Sequence, residues 1–227
     1  MVSKNFKKLK ILPVSLICAT HNRPKKLKIL IDSINKNFYL PKEVIIVGTG
    51  SNDFANIIKK NYKFKIKTFV SKKKNQIFQR NLGISKSKYS IVIQCDDDLR
   101  LDRNFILNFY KHFKENINAK KIIGANILNS KKKKQSERWN KLYKKNLIFR
   151  IIIHFLNRFK KIEYMSIIDS GRIAPLIPIN AKKRKKYKLE HLQWLNSTIC
   201  YNKKIVKKIN IKRIYGNKKS YFEDVFF

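Results

Sequence analysis

Three features of the sequence predict an α/β fold with a mostly parallel sheet flanked by helices. Short β-branched runs, Val14 to Ala19, Glu43 to Val47, Phe64 to Val70 and Ile91 to Ile93, recur along the first hundred residues. Between them lie segments whose apolar residues return at helical spacing, which supplies the crossovers that parallel strands need. The fourth run then stops abruptly in Asp96, Asp97 and Asp98. Unpaired charges are costly to bury, so these carboxylates belong at a strand end and not within the core.

Taken in order, Val14 to Ala19 reads as the first strand, and Pro24 opens a helix running to about Asn37. Leu27, Leu30, Ile31 and Ile34 share one face of it, and proline suits a first-turn position. Glu43 to Val47 is the second strand, followed by the glycine-containing turn Gly48-Thr49-Gly50-Ser51-Asn52-Asp53 and a helix through Ile57 and Ile58. Phe64 to Val70 is the third strand, and a helix around Ile77 to Ser85 leads to the fourth. Four strands with three helical crossovers give a doubly wound, parallel arrangement. Its strand ends share one edge, so Thr20 to Arg23, Gly48 to Asp53 and Asp96 to Asp98 should converge on one crevice.

The acidic triplet is open to two readings, a solvated turn or a cation site. Hard oxygen ligands suit Mg2+ or Mn2+, and these in turn suit phosphate oxygens. The turn at Gly48 lacks the full G-x-G-x-x-G, so it does not support a dinucleotide fingerprint.

No Pro/Gly/Ser-rich linker divides the 227 residues, and a single domain is expected. Lys and Arg total 54 against 14 Asp and Glu, a formal charge of +40. Such a charge attracts nucleic acid and anionic membranes. The excess is mostly Lys and accompanies many Ile and Asn, the residues of AT-rich codons, so part of it reflects composition and not a partner. Zinc-finger spacing and RNP-like motifs are missing, and no specific nucleic acid is expected. Cys18, Cys95 and Cys200 lie in apolar runs without Cys-x-x-Cys spacing and read as buried free thiols of a reducing compartment. The N-terminal lysines before Ile11 mimic a signal peptide, but the apolar run is short, contains Pro13 and lacks a cleavage pattern, so a strand is preferred. Leu147 to Leu156 is the most apolar helix candidate, with basic residues at both ends. A core helix with snorkelling ends is favoured over one lying in a membrane interface. Of the four histidines, only His21 falls near the expected crevice, and none has ligand spacing.

The ordered set V-S-L-I-C-A-T-H-N-R at Val14 to Arg23, E-V-I-I-V-G-T-G-S-N-D at Glu43 to Asp53, Q-R-N-L-G-I at Gln79 to Ile84 and I-V-I-Q-C-D-D-D at Ile91 to Asp98 resembles family 2 glycosyltransferases of the GT-A fold. The resemblance continues through W-L-N-S-T-I-C-Y at Trp194 to Tyr201 and Y-F-E-D at Tyr221 to Asp224. It implies one GT-A domain, with a nucleotide-binding half over about 11–100 and an acceptor-side half over about 101–227. Asp96 and Asp98 would be the D-x-D carboxylates that hold Mn2+ or Mg2+ on the donor diphosphate. Asp97 would join that site or turn away to a structural task. Thr20, Asn22 and Arg23 would line the nucleotide pocket, joined by Arg80 and Asn81 from the helix before the metal strand. Many relatives carry an acid just after the second strand to read the base. Here Gly48-Thr49 stands instead, leaving Thr49, Ser51 or backbone groups to do so. Asp224 would be the general base, with Glu223 supporting it, in a displacement that inverts the anomeric carbon. Trp194 to Tyr201 would form a strand or wall beside the acceptor, where Trp194 would stack on a sugar or fill the core, and Gly171-Arg172 would turn near the site.

The resemblance thus implies a metal-dependent inverting transferase of bacterial-type surface polysaccharide or lipid-linked glycan synthesis. It would take a UDP-, GDP- or TDP-linked sugar donor, act on a glycan or lipid-linked acceptor, and work in the cytoplasm with peripheral contact at an anionic inner membrane face. Relatives usually continue well past the position of Asp224, three residues from the end of this sequence. A truncated, inactive nucleotide-binding member is therefore one alternative, and a basic nucleic-acid-binding protein is another. A nucleotidyltransferase of similar fold is disfavoured because Thr20 to Arg23 contains no glycine.

Overall fold

The computed structural model describes residues 10–58, 60–114, 122–125, 141–156 and 198–205. The chain divides into two compact units, one of residues 1–124 with 197–227 and the other of 125–196.

The first unit is built on a sheet of β1 (Lys10–Ala19), β2 (Tyr39–Gly48), β3 (Lys65–Val70), β4 (Ile91–Asp96), β5 (Ile122–Gly124) and β6 (Ile199–Asn202), in the order β3-β2-β1-β4-β6-β5. The first four strands are mutually parallel, as the sequence predicts, whereas β6 runs antiparallel beside β4 and β5 antiparallel beside β6. The sheet is therefore mixed at one side. Strand β1 starts four residues earlier than expected, because Lys10, Ile11 and Leu12 already pair with Tyr39, Leu40 and Pro41. The register shifts between Leu12 and Ser15, around Pro13, which has no N–H to give to a ladder.

Four helices accompany this sheet: α1 (Pro24–Asn35), the single turn α2 (Ala55–Ile58), α3 (Gln76–Lys86) and α4 (Phe105–Lys114). Helix α1 buries Leu27, Leu30, Ile31 and Ile34, the stripe its periodicity predicts. Helix α3 is capped by Asn75, whose side chain accepts from the N–H groups of Ile77 and Phe78. It lies so close to the sheet that a Cβ on Gly83 would stand 2.4 Å from Cγ2 of Ile17. Ile17, Ile45, Val47, Ile84, Val92 and Tyr201 form one buried cluster between them.

Near the starts of β3 and β4, buried Glu43 ties several strands together. It accepts from Ser15 Oγ at 2.6 Å, Lys67 Nζ at 2.5 Å and the Lys88 N–H at 2.6 Å. Burial raises its pKa, but these donors outweigh burial and hold it below the ordinary glutamate value.

In the second unit, α5 spans Leu147–Leu156, the bounds read from the sequence. The expected core placement fails. Leu147, Ile148, Ile151, Ile152 and Phe155 are all at least half exposed, whereas Ile153 is buried. Helical periodicity fixes that the segment is a helix, but a segment apolar on nearly every side carries no signal of which face is covered.

Candidate functional site

In the order β3-β2-β1-β4, successive strands step one way from β1 to β3, and β4 then lies on the opposite side of β1. The crevice beyond the C-terminal ends of β1 and β4 is thus a topological switch point, where open α/β sheets bind ligands. Ala19 pairs with Asp96 and with Val47. The segments that leave these strands are 20–23, 49–53 and 97–98, so the three stretches expected to converge do so at one edge.

The three carboxylates are held differently. Asp97 is buried, accepting from Thr20 Oγ1 at 2.7 Å and from Arg23 Nη1 at 3.3 Å. Asp96 is partly exposed; its Oδ1 meets Arg80 Nη2 at 2.8 Å and Gln76 Nε2 at 3.3 Å. Asp98 is exposed, with Arg23 Nη1 at 3.7 Å and Lys26 Nζ at 3.8 Å. Arg23 thus spans Asp97 and Asp98, and buried Arg80 locks Asp96 from α3. Asn81, the next residue of α3, makes no hydrogen bond to these carboxylates among the described residues.

The turn after β2 is organised by Asp53, which is 2% exposed. Its Oδ2 accepts from the N–H groups of Thr49 at 2.7 Å and Gly50 at 3.2 Å and from Thr49 Oγ1 at 3.2 Å. Its Oδ1 accepts from the Asn22 N–H at 2.6 Å. One carboxylate therefore fixes two of the converging loops to each other. Asn22 has φ of 53°, the left-handed region that asparagine tolerates better than most residues. Thr49 Oγ1 also bonds His21 Nδ1 at 2.5 Å, and Ser51 is exposed at the start of a short 3-10 turn. Gln79 Nε2 donates to the carbonyls of Thr20 at 2.8 Å and Val47 at 3.2 Å, pinning α3 to the ends of β1 and β2. A Cβ on Gly48 would come within 2.7 Å of the Phe54 ring and 2.8 Å of Asp53 Oδ2, so any side chain at this position would have to displace one of them.

Asp53, Gln79, Gln76 and Lys26 escaped the sequence reading as site residues. For Asp53 a signal existed: an acid at the third position of a helical turn returns its carboxylate to the N–H at the turn's start. The others are recognisable only once α1 and α3 are set against the strand ends. Glu223, Asp224, Trp194 and Gly171-Arg172 lie outside the described residues.

Among the described residues no three His, Cys, Asp or Glu side chains group as a complete metal cage. The donor chemistry nevertheless fits a hard cation that takes one or two protein carboxylates and fills its other positions from a diphosphate and water. Asp96 and Asp98 offer such oxygens in partly exposed settings, beside guanidinium groups suited to phosphate.

The buried thiols belong to the sheet and not to this site's chemistry. Burial pushes Cys18, Cys95 and Cys200 well above the ordinary thiol value, so they stay protonated.

Among solved structures, the 1–349 fragment of S. aureus TarS is similar at 20% identity and a TM-score of 0.44, covering 53% of this chain and 37% of that one. The same fragment in complex with UDP-GlcNAc gives 20% identity and a TM-score of 0.41, with 53% and 36% covered. The mannosyltransferase PcManGT from Pyrobaculum calidifontis, in complex with GDP-Man and Mn2+, gives 17% identity and a TM-score of 0.39, with 44% and 32% covered. The matched region thus spans about a third of each of these longer chains. No curated protein sequence matches significantly. The family model for glycosyl transferase family 2 matches residues 15–174, more than half of the chain and all of the crevice described above. This chain belongs to glycosyl transferase family 2.

Proposed function

We propose that the chain transfers a sugar from a nucleoside-diphosphate donor to a hydroxyl of a glycan or lipid-linked acceptor, with inversion at the anomeric carbon. The observation that carries this reading is the acidic triplet at the switch point between β1 and β4, with arginines on either side of it. Asp96 and Asp98 would hold Mn2+ or Mg2+; bound there, the cation neutralises charge developing on the leaving diphosphate. Arg23 and Arg80 keep these carboxylates in place and can turn donors toward phosphate oxygens. Asp97 acts from behind, holding Thr20 and Arg23 to the end of β4. The missing space at Gly48 leaves base recognition to Thr49, Ser51 and the backbone of the turn that Asp53 braces. Asp224 takes the proton of the attacking hydroxyl and Glu223 positions the acceptor. The protein works in the cytoplasm at the inner face of the cell membrane, where surface polysaccharide or lipid-linked glycan is built.

Calorimetric titration of UDP, GDP and TDP with and without Mn2+, at fixed ionic strength, tests the reading. Non-specific attraction of a diphosphate to a +40 chain weakens when a cation masks phosphate charge. A carboxylate-held cation strengthens binding instead. One nucleotide should bind more tightly with Mn2+, and Asp96→Asn/Asp98→Asn should abolish that gain. Metal-weakened binding that is identical in the double variant would refute the proposal and favour an inactive member or a polyanion binder.

A further inference from the structure

Among the described residues of the second unit, α5 presents an exposed apolar face. Leu147, Ile148, Ile151 and Ile152 are 60%, 71%, 53% and 50% exposed, and Phe155 extends the same face at 68%. At about 100° per residue these five fall within an arc of roughly 140°, opposite buried Ile153. Beside it Tyr143 Oη, just before the helix, and His154 Nε2 lie 2.9 Å apart, and Asn146 caps the start of the helix by accepting from the Phe149 N–H at 2.8 Å. Soluble proteins rarely leave so continuous an apolar face to water unless it meets something.

Charge selects the occupant. Lys141, Lys144 and Lys145 just before the helix and Arg150 within it are exposed, and residues 141–161 contain no Asp or Glu. A second copy would bring the same cations against them in a chain already at +40, which opposes self-association. A ten-residue helix is too short to cross a bilayer, and no described helix is long and apolar enough to do so. An exposed apolar stripe on a helix of this length, with exposed cations and no acid in and just before it, matches the boundary between anionic headgroups and acyl chains.

We infer that α5 is a membrane-docking helix, which lies in the plane of an anionic bilayer with Leu147, Ile148, Ile151 and Ile152 inserted and the neighbouring cations on the headgroups. The inference rests on the peripheral-membrane part of the function proposed above and adds to it the element that makes the contact. It is independent of sugar transfer, since vesicle binding needs neither donor nor acceptor.

The test uses the full chain with phosphatidylcholine vesicles, with and without a minority of phosphatidylglycerol, at physiological and at high salt. Ile148→Ser/Ile152→Ser leaves the charge unchanged and should lower affinity for the anionic vesicles at least about tenfold. A fluorophore sensitive to polarity, attached at Ile148→Cys, should shift to the blue on binding; the three native thiols are buried and protonated, which directs labelling to the new one. This labelled single variant keeps the question answerable if the double variant does not fold. Equal binding by folded wild type and double variant, or a probe that stays in water on bound vesicles, would overturn the inference in favour of charge-only adsorption. Sedimentation that shows wild-type dimers abolished by the double variant would overturn it in favour of a second copy.

Discussion

Asp53→Ala removes the carboxylate that joins the loop after β1 to the turn after β2. Three backbone N–H groups, of Asn22, Thr49 and Gly50, lose their acceptor, as does the Thr49 hydroxyl. Bonds to a charged acceptor contribute about 1.5–3 kcal/mol each when their donors stay dry. Here the donors are half-buried or exposed, and water re-satisfies part of them. About 1 kcal/mol for each of the three N–H groups gives a loss of ~3 kcal/mol. Urea unfolding checks this. The midpoint should fall with an unchanged slope, because no additional surface is exposed on unfolding. Asn52→Ala, at an exposed residue of the same turn, should change stability by no more than about 0.5 kcal/mol. The Asp53 variant should also bind nucleotide more weakly, since both loops of the crevice lose their common anchor. An Asp53→Ala protein as stable as Asn52→Ala would refute the reasoning, because the turn would then be held by something other than this carboxylate.

Gly83→Ala should destabilise by about 1–3 kcal/mol in thermal melts, since the new methyl meets Ile17 at 2.4 Å and either α3 or β1 must shift. Glu43 has its pKa lowered on folding, so its contribution is fully present above the unfolded glutamate pKa and lost as pH falls below it. Glu43→Gln should therefore cost about 1–3 kcal/mol at neutral pH and show a flatter decline of stability than wild type as pH drops below ~4.5. Iodoacetamide should leave Cys18, Cys95 and Cys200 unmodified in the native protein and alkylate all three in urea, read by mass spectrometry, because burial keeps the thiols protonated and out of reach.

The parallel core was legible because each of its strands is a β-branched run flanked by turn residues, and because Asp96 to Asp98 mark where β4 must leave the interior. On the antiparallel side only the expected strand or wall over Trp194 to Tyr201 was legible, since β6 overlaps its end, and the pairing was not. Strand β5 is three residues long, and β6 is separated from its partner β4 by a hundred residues of sequence, so no local pattern announces the pairing. Tyr201 shows what sequence distance hides: its hydroxyl accepts from Gln94 Nε2 inside the core, a contact made only once β6 lies on β4. The crevice divided the same way. Thr20, Arg23, Arg80 and the three aspartates could be named from motifs, but which cation holds which carboxylate depends on the seating of α1 and α3. The face of α5 was the plain failure, since hydrophobicity reports what a helix can bury and not what is there to bury it.

The three aspartates at the end of β4 are matched by three cations, Arg23, Lys26 and Arg80. A strand end that looks acidic in the sequence thus has its charge balanced by neighbouring cations when folded, within a chain of net charge +40. In the proposed function a donor would arrive as an anion together with its cation. The cation would take a carboxylate from a guanidinium while that guanidinium took a phosphate oxygen, so the exchange would leave neither charge unpaired. Discrimination at such a site comes from geometry, from which partners can be traded at once, and hardly at all from the long-range field.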